Sequence, residues 1–117
     1  MIYFSESSGF YSGDLRAGDR EATEEEIAAL EREQAISALR GDIARLEREE
    51  MMPHGIRVFV IESLEREAVL AGAARTPALT AAQSKALLRA GNSGYRRVIE
   101  FHELISSMEA QIAALGG

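Results

Sequence analysis

The tightest constraint on this chain is the pattern of its last helical stretch, residues 94–115, read as GYRRVIEFHELISSMEAQIAAL. Val98, Phe101, Ile105, Met108, Ile112 and Leu115 follow one another at alternating intervals of three and four. That spacing draws one apolar seam down a helix, and a seam of this length has to be covered by a second helix. A shorter seam of the same spacing occurs earlier, at Ile36, Leu39, Ile43 and Leu46. The expectation is that the two helices pair, within one protomer or as a homo-oligomer through these heptad helices.

The rest of the chain reads as elements feeding that pairing. Thr23 followed by Glu24, Glu25 and Glu26 is a capping box with acids at the positive end of the helix dipole. From there to about Met51 only Gly41 interrupts helix formers. Ala28, Ala29 and Ala35 continue the apolar stripe with small side chains, while Ile27 and Leu30 point elsewhere, so the small side is expected to admit bulky aromatics. Met51, Met52 and Pro53 mark a boundary. In HGIRVFVIESLEREAVLAGAA the run at 56–61 has strand composition, leaving helix and strand both open there. Its unbroken continuation through Leu64, Ala68 and Leu70 favours a helix ending near Gly72. Residues 73–79 form a connection, Thr80 and Gln83 a second capping box, and Gly91 a helix end. Asn92 or Ser93 then caps the last helix, with Gly94 in its first turn, a place for close backbone approach.

The amino-terminal MIYFSESSGFYS has strand-forming residues on either side of Ser7, Ser8 and Gly9, which predicts a β-hairpin. Alternation puts Ile2 and Phe4 on one face and Tyr3 on the other. Residues 12–22 carry no sustained period and read as a loop. The predicted fold class is α+β, predominantly α-helical: an N-terminal β-hairpin, a long helix, two middle helices and a C-terminal heptad helix. It divides into a hairpin and loop over 1–22 and a helical region over 23–117. The hairpin needs something to lie against. Its aromatics Tyr3, Phe4, Phe10 and Tyr11 either pack on the helices, as apolar residues ordinarily do, or form a partner-docking surface of the kind rigid aromatics anchor.

Composition removes several classes of function. With no cysteine there is neither a disulfide frame nor a zinc–cysteine site. His54 and His102 lack the spacing of a metal pair, and Asp14 and Asp19 lack the alternating oxygens of a calcium loop. The single lysine, Lys85, lies in no glycine-rich phosphate loop, no serine sits in a nucleophile elbow, and neighbouring carboxylates such as Glu49 and Glu50 diverge on a helix. No catalytic residue, cofactor or metal is expected. Residues 1–50, at a net −7, repel phosphate, and in residues 51–117, at +1, Arg89, Arg96 and Arg97 are a thin footprint for nucleic acid. No apolar stretch approaches the roughly 20 residues of a membrane span, so a soluble intracellular protein is expected.

Two segments carry a family resemblance. IYFSESSGFYSGDL, followed by EATEEEIAAL, resembles the N-terminal module of bacteriophage and prophage tail fibre assembly proteins. In that module a Tyr-Phe-Ser strand, a Gly-Phe-Tyr return strand and an acidic helix start recur. GIRVFVIESLEREAVLAG with GNSGYRRVIEFHELISSMEAQIAAL is similar to the C-terminal helical region of phage proteins of that neighbourhood. The resemblance implies a chaperone in the host bacterium's cytoplasm that binds a phage tail fibre protein and assists its folding and trimerisation. Tyr3, Phe4, Phe10 and Tyr11 are the expected partner contacts. The strand-rich or glycine-containing linker that follows the first helix in such proteins is replaced here by more helix. The first alternative is therefore a permanent component of the virion tail or baseplate, and the second a small nucleic-acid-binding regulator using Arg89, Arg96 and Arg97.

Overall fold

A computed structural model describes residues 1–6 and 8–117. Strands β1 (Ile2–Ser5), β2 (Gly9–Ser12) and β3 (Arg20–Glu21) precede helices α1 (Glu24–Glu49), α2 (His54–Ala73), α3 (Ala81–Gly91) and α4 (Ser93–Ala114). The predominantly helical α+β class read from the sequence is the one observed. The molecule is a rod of 79 × 25 × 19 Å.

The long helix begins where its chemistry dictates. Thr23 accepts from the Glu26 amide and Glu26 accepts from the Thr23 amide, both at 3.1 Å, and three acids occupy the first turn. It ends where Met51 takes a positive φ of 53°. Thr80 and Gln83 repeat the reciprocal cap for α3, and the Asn92 side chain caps α4 by accepting from the Tyr95 amide at 2.9 Å. Residues 56–61 are helical. Their β-branched composition yields because an inward stripe at 57, 61, 64, 68 and 72 has helical spacing and faces the other helices, and packing outweighs propensity.

The two seams face each other within the protomer, antiparallel. Arg97 near the start of α4 pairs with Glu50 at the end of α1 at 3.0 Å, while Gly117 lies against Ile36 and Ile112. Ile105 is fully buried, Ile112 nearly so. α2 and α3 cover the other side of α4. α4 reaches α1 as far as Ile36, so residues 24–35 project past the four-helix body and carry the sheet at their far end. No residue of α1 is buried.

Two expectations are corrected at this end of the rod. Residues 12–22 are not wholly loop: Ser12 closes β2, and Arg20–Glu21 form a third strand, giving the antiparallel order β2-β1-β3. Two residues are too few for periodicity to show, and the strand exists because Tyr3 and Phe4 offer their free edge to Glu21 and Arg20. The sheet also does not settle on Ala28, Ala29 and Ala35. It lies beside Leu30 and Gln34 and is tied to Glu26 through Arg20, while Ala28 stays exposed. Leucine offers the aromatic face more apolar area than alanine does, and the Arg20–Glu26 pair fixes that side. Of the reversal expected at Ser7, Ser8 and Gly9, Ser7 lies outside the described residues; Gly9 opens β2 with φ of 77°, a conformation glycine adopts without strain.

Candidate partner-binding surface

The hairpin register sets the four aromatics as two cross-strand pairs, Tyr3 opposite Tyr11 and Phe4 opposite Phe10. Their rings are 5.6 Å and 5.3 Å apart, tilted as aromatic pairs prefer. Period-2 alternation sends the pairs to opposite faces. On the tyrosine face Arg16 from the loop between β2 and β3 stacks over Tyr11 at 4.3 Å. There the Tyr11 hydroxyl donates to Asp19 and accepts from the Arg16 amide, each at 2.8 Å. Burial, aided by the Asp19 carboxylate, raises the phenol above its ordinary pKa. On the phenylalanine face Arg20 stacks over Phe4 at 4.8 Å and grips both carboxylate oxygens of Glu26, at 2.6 and 2.9 Å.

The aromatics are therefore not equivalent as contacts. Tyr3, Phe4 and Tyr11 are half-buried, and Phe10 is the exposed member at 36 %. The two edges of the sheet differ as well. β3 presents Arg20 and Glu21, charges that discourage a further strand, whereas β2 is the uncharged GFYS. A cavity of about 250 Å³ lies beside β2, lined by Ile2, Phe10, Tyr11, Ser12, Leu30 and Gln34.

A second cluster, unforeseen in the sequence, sits where α1, α2 and α4 meet. Arg57 is fully buried. Its guanidinium pairs with Glu47 of α1 and donates to the Met52 carbonyl at 2.9 Å. It also donates from Nε to His102 Nδ1 of α4 at 3.4 Å. Phe101 lies 5.4 Å below the guanidinium and the His54 ring lies 6.2 Å from that of His102, tilted by 41°, while Nη2 has no hydrogen-bond partner among the described residues. The signal available was a lone arginine inside the run IRVFVI at a position of the inward stripe. His102, which lies next to Phe101 of the seam, supplies the α4 contact.

The arginines weighed for nucleic acid are engaged elsewhere. Arg89 pairs with Glu103 at 2.7 Å, Arg96 donates to the Arg89 and Ala90 carbonyls that end α3, and Arg97 pairs with Glu50. Arg96 thereby satisfies carbonyls that a helix terminus leaves open. Tyr95, buried at the start of α4, donates to Glu65 of α2 at 3.0 Å, and burial raises its pKa. Among the described residues no three His, Cys, Asp or Glu side chains cluster as metal ligands would, and no helix is long and apolar enough to cross a membrane. No protein-family model, curated protein or solved structure matches this chain.

Proposed function

We propose that this protein is a tail fibre assembly chaperone of a bacteriophage or prophage. In this reading it acts in the host cytoplasm, binds the fibre protein and assists its folding and trimerisation. The observation that carries the reading is the aromatic hairpin pattern joined to an acidic capping box at the start of the chain. Support comes from where that pattern lies: on a small sheet held at the end of a projecting helix, with Phe10 exposed and the uncharged edge of β2 open. A rigid aromatic platform clear of the body suits transient capture of apolar surface on an incompletely assembled fibre. Phe10 is the principal anchor, and Tyr3, Phe4 and Tyr11 set its position. Co-expression with the fibre protein tests this. Soluble trimeric fibre should appear only with this chain present, and Phe10→Ala should reduce the yield while leaving the helical signal unchanged. A fibre equally soluble and trimeric without it sinks the proposal.

A second reading, a permanent tail or baseplate component, is favoured by the projecting first turns of α1, only partly covered by the sheet and with no buried residue. Mass spectrometry of purified virions separates the two. Stoichiometric presence supports the structural component, and absence supports the chaperone.

A further inference from the structure

α2 is apolar on two sides. Its inner stripe contains the buried Arg57, Ile61 and Gly72. Its outer face holds Ile56, Phe59 and Leu70, exposed to 52 %, 71 % and 67 %. At 100° per residue, positions 56, 59, 60, 63, 66, 67 and 70 fall on that one outer face. Arg66 and Glu67 interrupt that face, but its large apolar side chains are left uncovered by this protomer.

We propose that the outer face of α2 is the contact for a second copy of this chain, packed antiparallel about a two-fold axis at Ser63. This goes beyond the chaperone reading and does not depend on it. The face is self-complementary about that residue, as a two-fold contact requires. Ile56 and Leu70 lie seven positions on either side of Ser63, so the axis sets Ile56 of each copy on Leu70 of the other. The same operation brings Phe59 and Glu62 of one copy to the flank occupied by Arg66 of the second. There a guanidinium meets an aromatic face and a carboxylate together.

Beside that flank a groove of about 460 Å³ runs between α2 and the start of α3, with Arg66, Val69, Leu70 and Ala81 in its lining. It provides room for the Phe59 ring of the other copy. Ser63 at the crossing is small enough to let the helix axes approach. The exposed parts of Ile56, Phe59 and Leu70 on two copies amount to roughly 700 Å², nearly half of the ~1,600 Å² of a standard interface, before the polar flanks are counted. A lipid surface is a poorer occupant, because Glu62 stands beside the apolar face and Glu67 within it.

Light scattering of the purified full chain across concentrations tests the proposal. The expected mass is twice the 12.8 kDa of one chain. Phe59→Asp should return it to that of one chain with unchanged far-UV circular dichroism, because Phe59 contributes little to the protomer's own packing. Glu62→Arg should weaken the dimer at least tenfold, and Glu62→Arg combined with Arg66→Glu should restore it, since the exchange recreates the pair across the axis. A monomer at every concentration overturns the proposal. So does an assembly of any size that persists unchanged in Phe59→Asp or Glu62→Arg.

Discussion

The Arg57 cluster allows a prediction in which the two partners of one ion pair respond unequally. Replacing Glu47 by Gln keeps the shape and one acceptor but strips the counter-charge from a guanidinium that water cannot reach. Removing one member of a buried pair costs about 3–5 kcal/mol. Glu47 is still 23 % exposed and Gln still accepts, so the expected loss is about 3 kcal/mol, the low end of that range. Replacing Arg57 by Met removes the charge that has to be buried, along with the unpartnered Nη2. The Met52 carbonyl and His102 Nδ1 lose a donor, while Glu47 keeps its access to water. Each of these two acceptors would cost about 1–3 kcal/mol if left bare and fully buried, but both residues are only half-buried, and the unbranched thioether refills much of the volume. The net loss expected is about 1–2 kcal/mol. The double variant should lose clearly less than the sum, because the charge left stranded by Glu47→Gln no longer exists. Urea unfolding followed by far-UV circular dichroism, with the slope checked for constancy, measures all three. An Arg57→Met loss equal to or larger than that of Glu47→Gln, or two costs that simply add, would refute this account of the junction.

Two further outcomes follow from single contacts. A β-carbon on Gly72 would stand 1.9 Å from Ser84 Oγ and 3.1 Å from its Cβ. Gly72→Ala must therefore turn the Ser84 hydroxyl out of its place and crowd its β-carbon, and should cost about 1–3 kcal/mol, largely recovered in combination with Ser84→Gly; thermal unfolding unchanged from the parent would contradict the close approach. Glu26 is held down to about 2 from an ordinary 4.5, first by its hydrogen bonds from Arg20 and then by those of the Thr23 cap. Its folded pKa lies below the unfolded one, so its stabilisation is complete above about 4.5 and is lost as pH falls toward about 2. The Glu26 carboxyl carbon in an NMR titration should move only in that lower window, and a midpoint in the ordinary carboxylate range would count against the Arg20–Glu26 clasp.

What was legible in the sequence is local or periodic. The capping boxes at Thr23 and Thr80, the hairpin strands of IYFS and GFYS, and the matched seams at 36–46 and 98–115 are each fixed by side-chain chemistry within a few residues or by a regular spacing. That those seams would pair was legible, whereas their antiparallel orientation and the choice of this protomer over another as partner came only with the structure. The tertiary structure decided what depends on residues far apart in sequence. It placed the sheet on Leu30 and Gln34 rather than on the alanines, because Arg20 reaches Glu26 and leucine offers more area. It also made a strand of Arg20–Glu21, since a two-residue edge is defined by its neighbour and not by its own pattern. Arg57 could not be read as buried from IRVFVI alone, because a buried guanidinium is tolerable only where a carboxylate ten residues back and an imidazole forty-five residues on converge upon it. The same holds for α2 itself. Its composition made both faces apolar, and only the packing of α1, α3 and α4 determined which face was covered and which remains open.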